Sequence, residues 1–134
     1  MTAMLPMTTA LYAAILGLLG ALLTVNVIVN RVRSHVDAGD GGVARLAQAI
    51  RAHANFAEQA PLALIVIAFA EMWGERALVL HILGVALVLS RFAGAYALNQ
   101  SLGQSGLRQF GGGFSVLVLA AASIAVLLAM AGIR

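Results

Sequence analysis

Four stretches of the chain are apolar almost throughout, and short polar segments separate them. No charged residue occurs from Met1 to Asn30. That run predicts a helix over about 8–31, enough to cross a hydrocarbon core of about 30 Å. The sequence SHVDAGDGG at 34–42 follows and reads as a loop, because Asp-Gly and Gly-Gly pairs punctuate structure. A second helix is expected over about 43–72. Its length of roughly 45 Å exceeds the core, so its first half should reach into the headgroup layer. A tight turn at 73–76 leads to a third helix over about 77–99, and a polar, glycine-containing loop over 100–109 leads to a fourth over about 110–133. Ala13, Gly17 and Ala21 recur every four positions in the first helix, as do Ala121, Ala125 and Ala129 in the fourth, a spacing that suits close helix packing. The expected fold is all-α: an integral membrane four-helix bundle occupying 1–134 as one transmembrane domain, with no internal repeat and no separate soluble domain.

Composition supports this pattern. Hydrophobic residues make up 62% and charged residues 10% of the 134 positions, whereas soluble domains carry about 25% charged residues. The chain has no cysteine, which removes disulfides, protein thiol chemistry and thiolate metal sites. Its net charge of +3 comes from eight arginines and no lysine. In a membrane protein that excess reads as topology, and no nucleic-acid partner is expected. The N-terminus shows no basic n-region and no small-residue cleavage site, so the first apolar run is expected to be a retained helix. Arg31, Arg33, Arg45, Arg51 and Arg108 flank the first and third loops, while Arg76 and Arg134 lie on the other side. The positive-inside rule then places the first group in the cytoplasm and both termini outside.

Helix 2 carries the strongest chemical signal. Gln48, Arg51, Asn55 and Glu58 fall within a stripe of roughly 80° at about 100° per residue. Ionisable groups inside a membrane helix are costly and usually face a bundle interior or a polar cavity. A row of cation, amide and carboxylate suits a small zwitterion; it equally suits an internal polar network that sets helix packing. Arg91 is the other deep charge. Counted from a turn centred near Gly74, it matches Glu58 in depth, so a structural Glu58–Arg91 ion pair is expected. The same ruler sets Tyr96 near Ala52, within reach of the Arg51–Asn55 region. From spacing alone Arg108 reads as an anchor to lipid phosphates, although a guanidinium there also suits a thiolate or other anion. Gly111, Gly112 and Gly113 mark either close packing or N–H groups offered to an anion. His35, His53 and His81 are scattered, so no metal site is expected. Asp37 and Asp40 flank a glycine-rich turn, where Asx turns are the default.

The segment AIRAHANFAEQAP at 49–61 follows GDGG and precedes an arginine midway along helix 3. This arrangement resembles the MAPEG family, the membrane-associated proteins of eicosanoid and glutathione metabolism, and above all its short bacterial members. The resemblance covers essentially the whole chain, and its specific part is R-x-x-x-N-x-x-E on Arg51, Asn55 and Glu58, ending at Pro61. It implies a homotrimer in the bacterial inner membrane, in contact with lipid, with glutathione as co-substrate bound between subunits near the cytoplasmic face. Arg51, Asn55 and Glu58 would hold the charged ends of glutathione, with Arg31 contributing and Tyr96 nearby. Arg108 matches the arginine that stabilises the glutathione thiolate, the catalytic position. The implied chemistry is that of a transferase or peroxidase acting on lipophilic electrophiles.

The chain also departs from the pattern. Eicosanoid-type members have an arginine where Ala54 stands and a histidine where Gly94 stands. Their helix 3 tyrosine lies seven residues after the arginine, whereas Tyr96 lies five after Arg91. Their early helix 4 tyrosine is replaced by Gly111–Gly113. Two rival readings follow. One is a non-catalytic member that binds lipid or a partner. The other is a small multidrug transporter, which requires a carboxylate in helix 1; here helix 1 offers only Thr24, Asn26 and Asn30.

Overall fold

The computed structural model describes residues 5–133. They form four helices: α1 (Met7–Ser34), α2 (Ala44–Met72), α3 (Ala77–Gln100) and α4 (Gly106–Met130). All four are long and apolar enough to cross a membrane. α2 and α3 pack together at the centre, both touching α4 on one side and α1 on the other, while α1 and α4 do not meet. Leu16, Leu19 and Leu23 of α1, Ala63 and Ile67 of α2, Leu80, Leu83 and Leu87 of α3, and Val118 and Ala122 of α4 make one continuous core. Leu18, Leu22 and Ile28 of α1 and Val116, Leu117 and Leu127 of α4 point outward and are largely exposed. Such a surface suits acyl chains, where each backbone group must be satisfied within its own helix.

Helix α4 begins at Gly106, four residues earlier than Phe110. The Ser105 side chain caps it by accepting from the Arg108 backbone N–H. Helix α2 continues through Pro61 without a break. Gly39, Gly41 and Gly42 take positive φ in the α1–α2 loop, and the Gly42 N–H bonds the Asp40 carboxylate at 2.9 Å, closing the expected Asx turn.

A close backbone-to-backbone helix approach lies at neither alanine-rich stripe. Gly17 has open space beside it, and Ala121 is exposed. Instead α3 meets α4 along Ser90, Gly94, Gly111 and Ser115. A Cβ on Gly111 would lie 2.7 Å from the Gly94 backbone nitrogen, and the Ser90 and Ser115 hydroxyls bond at 2.8 Å. Small residues four apart on both helices allow this contact.

Two polar ties fix α1 to its neighbours near its start. Pro6 supplies no side-chain cap to α1. The Glu71 carboxylate does so from α2, accepting from the Thr8 and Thr9 N–H groups at 2.7 Å each and from the Thr9 hydroxyl at 2.6 Å. A carboxylate facing free N–H groups at a helix N-terminus is favoured by both hydrogen bonding and the helix dipole. One turn further along, the Tyr12 hydroxyl bonds His81 Nδ1 at 2.7 Å, and Gly84 leaves room for the Tyr12 ring.

Candidate functional site

The α1–α2 and α3–α4 loops lie at the same end of the bundle. There Gly39, Asp40, Ala47, Ile50, Arg51, Ala54, Leu102 and Arg108 line an open cavity of about 500 Å³. Arg51 and Arg108, far apart in sequence, thus face one space. That volume falls within the range of small-molecule sites, roughly 300–1,000 Å³.

Each arginine has a local partner. Arg51 pairs with Glu58 about two turns deeper on α2, at 3.4 Å, both side chains being about half exposed. An exposed pair of this kind contributes at most about 1 kcal/mol, so it yields readily to a competing carboxylate. Arg108 donates through Nη1 to the carbonyls of Leu102 and Gly103. Those bonds tie down the α3–α4 loop and leave the other guanidinium N–H groups unspent. Arg31 donates to the carbonyls of Val36 and Gly39, at 3.3 and 2.9 Å, and so braces the wall that Gly39 contributes.

The helix 2 stripe divides. Gln48 and Asn55 are about 20° apart on the helical wheel and turn toward the bundle, whereas Arg51 and Glu58, some 40–80° further round, turn outward. Gln48 donates to the Gln100 carbonyl at 3.3 Å. Asn55 accepts from Arg91 through both its backbone and side-chain oxygens, at 3.4 and 3.2 Å.

The expected Glu58–Arg91 pair is therefore corrected. Arg91 is 1% exposed and bonds Asn55 and the Gly111 carbonyl, with no carboxylate partner among the described residues. Depth was matched to within a turn, but Glu58 sits on the outer face of α2, about 60° from Asn55. Tyr96 stands on the exposed face of α3 and does not line the cavity, so one protomer alone does not bring it to Arg51. The glycine run of α4 offers no free N–H groups: the helix starts at Gly106, so Gly111–Gly113 lie inside its hydrogen-bond ladder. Arg134, counted for topology, lies outside the described residues.

Two polar clusters went unread in the sequence. Glu71 stands near the end of α2, where it looks like an interfacial charge, and only the fold brings the α1 N-terminus to it. Asn26 and Asn30 of α1 join Asn99 of α3, and their i, i+4 spacing was the available signal.

The sequence model of the MAPEG family matches residues 9–128. The inner membrane protein YecN of Escherichia coli (strain K12) is 35% identical over 96 residues, covering 72% of this chain and 73% of YecN. The YecN of a second strain, Escherichia coli O6:H1, matches to the same extent.

Proposed function

The chain belongs to the MAPEG family of integral membrane proteins, and from that membership we propose that it is a glutathione-dependent transferase or peroxidase whose site is the cavity shared by Arg51 and Arg108. The supporting observation is that cavity: two guanidiniums from different helices face one open space of about 500 Å³. Glutathione carries two carboxylates, an amine and a thiol. Guanidiniums bind carboxylates through two parallel hydrogen bonds. Glu58, already beside Arg51, complements the amine. Arg108 favours the thiolate at the mouth of α4. In conjugation the thiol proton leaves to solvent and the sulfur electron pair forms the new bond to carbon, displacing the leaving group. In peroxide reduction two glutathione thiols become a disulfide while the peroxide becomes an alcohol and water.

The assembly in this reading is a homotrimer in the bacterial inner membrane. Its support is the exposure of Glu58, about 20 Å along a spanning helix. A charge there is costly against lipid, so a neighbouring subunit covers it. Tyr96 of that neighbour is then free to approach the site. Calorimetric titration of the detergent-solubilised protein should show glutathione binding, with the mass of the same sample giving three subunits. Arg51→Ala should weaken binding at least about tenfold, the loss of one charge-assisted contact. No binding at millimolar glutathione would reject the site, and a monomeric mass would reject the shared interface.

A second reading has its own support. Ala54 lines the cavity at the position where eicosanoid-type members carry arginine, which leaves the site less cationic. A non-catalytic member that binds lipid or a partner fits that feature. Binding without turnover on several electrophiles and peroxides would assign it.

The proposed orientation puts the loop end, with Arg31, Arg33, Arg45, Arg51 and Arg108, in the cytoplasm and both termini in the periplasm. A reporter active only in the periplasm should therefore work when fused after Arg134. Activity of a cytoplasm-only reporter at that position would reverse the assignment.

A further inference from the structure

A second pocket opens at the loop end, between α1, α2 and α3. It measures about 130 Å³, and Asn26, Asn30, Arg45, Gln48, Asn99 and Gln100 line it. It shares no residue with the cavity that holds Arg51 and Arg108. We propose that this pocket binds a phosphate group.

The hydrogen-bond inventory points to an anion. Asn30 donates to the Asn26 side-chain oxygen at 3.0 Å, Asn26 donates to that of Asn99 at 2.8 Å, and Asn99 donates to the Ala95 carbonyl at 2.8 Å. This relay occupies the amide oxygens of Asn26 and Asn99. Each amide nitrogen carries two hydrogens, so Asn26, Asn99 and Gln48 each keep one N–H unspent. Arg45 adds a guanidinium with no hydrogen bond or ion pair among the described residues. No carboxylate lines the space.

Size and position narrow the ligand. The volume is that of roughly four waters, which suits a tetrahedral oxyanion and is too small for a tripeptide. The pocket lies where α1 and α3 end and α2 begins, at the rim of the apolar span. The phosphate layer of a bilayer lies at that level. Donors from three helices converging on one point also explain why a polar relay is tolerated inside a bundle of apolar helices: each amide is held by the next. The phosphate can belong to a lipid headgroup or be free in solution.

The test is thermal unfolding of the full chain in a neutral detergent, with four additions. These are inorganic phosphate, a chloride salt at equal ionic strength, phosphatidylglycerol, and diacylglycerol, which has the same tails without phosphate. A rise in midpoint with inorganic phosphate over chloride assigns a free-phosphate site. A rise with phosphatidylglycerol over diacylglycerol alone assigns a headgroup site. In either case Arg45→Gln should raise the half-saturating concentration about tenfold or more, the loss of one charge-assisted contact. Arg33→Gln, an equal charge change on the same side but outside the pocket, should leave it nearly unchanged. Should Arg45→Gln fold poorly, Asn99→Ser carries the same expectation. No phosphate-specific rise in the unaltered protein would overturn the site, as would equal effects of Arg45→Gln and Arg33→Gln. Glutathione titration of Arg45→Gln should match the unaltered protein, which keeps this outcome separate from that of the Arg51 cavity.

Discussion

Gly111→Ala should destabilise the bundle by about 3 kcal/mol, the upper part of the range for overpacking a tight contact. The added methyl would lie 2.7 and 2.8 Å from the Gly94 nitrogen and Cα and 2.9 Å from the Ser90 carbonyl oxygen. All three are backbone atoms of α3, so no side-chain rotation relieves the clash. The helices must separate, and with them go the Ser90–Ser115 hydrogen bond and the bond from Arg91 to the Gly111 carbonyl. Arg91 would then be a buried cation with fewer acceptors, in surroundings where unpaired charge is costly. Gly112→Ala is the matched control. Nothing lies within 4 Å of its added methyl, and alanine favours a helix by up to about 1 kcal/mol over glycine. It should be neutral or stabilising. Denaturant-induced unfolding in detergent, followed by circular dichroism, compares the two. Equal midpoints for both variants would refute the seam.

Two departures from the family pattern meet at the same contact. Gly94 stands where eicosanoid-type members have histidine, and Gly111–Gly113 stand where they have tyrosine. Gly94 and Gly111 touch each other, so the two changes fall at one contact, and it is Gly111 that the contact requires to be glycine. A side chain at Gly111 would run into the α3 backbone at Gly94 and Ser90, whereas a Cβ at Gly94 would meet Asn55, Arg91 and the Gly111 Cα at ordinary contact distances of 3.5–4.0 Å. The sequence showed both departures but not that they meet, because residues 17 apart on different helices are related only by how the helices dock.

Depth was legible and azimuth was not. A fixed rise of 1.5 Å per residue lets a turn near Gly74 serve as a ruler, and it brought Arg91 to within one turn of its true partner, Asn55. The choice between Asn55 and Glu58 depends on the rotation of α2 about its own axis. That rotation is set by the whole core: Ala52, Ala63 and Ile67 face inward and carry Asn55 with them, while Glu58 is left outside. A polar stripe 80° wide cannot reveal which edge faces the bundle. The start of α4 was misjudged for a local reason. Its first turn, Gly106 to Gln109, is polar and glycine-led and reads as loop, yet the Ser105 cap is sufficient to begin the helix there. Spans, loops and the shared side of Arg51 and Arg108 were readable because they depend on hydropathy, punctuation and helix count alone; that the two guanidiniums line one cavity was not readable from spacing, since it depends on how α2 and the α3–α4 loop dock.

In the proposed enzyme, Arg108→Ala should lower turnover about 100-fold while changing glutathione affinity by less than about threefold. The magnitude is that of removing one donor aimed at a developing or resident anion. A cysteine thiol ionises near 8.5, so at neutral pH only a small fraction of unassisted glutathione is thiolate. A guanidinium beside the sulfur favours the charged form and enlarges that fraction. Arg108 has a structural task as well, since its Nη1 holds the Leu102 and Gly103 carbonyls. The pH profile separates the two tasks. If Arg108 supplies thiolate, the rising limb of the rate for Arg108→Ala moves to higher pH and much of the activity returns where glutathione ionises by itself. If it only orders the α3–α4 loop, the rate falls by the same factor at every pH. Arg108→Lys adds a check, because a lysine retains the charge but lacks the planar fork that spans two carbonyls. It should keep the original pH profile at reduced rate. Steady-state conjugation of a model electrophile between pH 6 and 10, paired with calorimetric binding, provides both readings. A uniform fall with an unmoved profile would remove the thiolate role and leave Arg108 as the loop's staple.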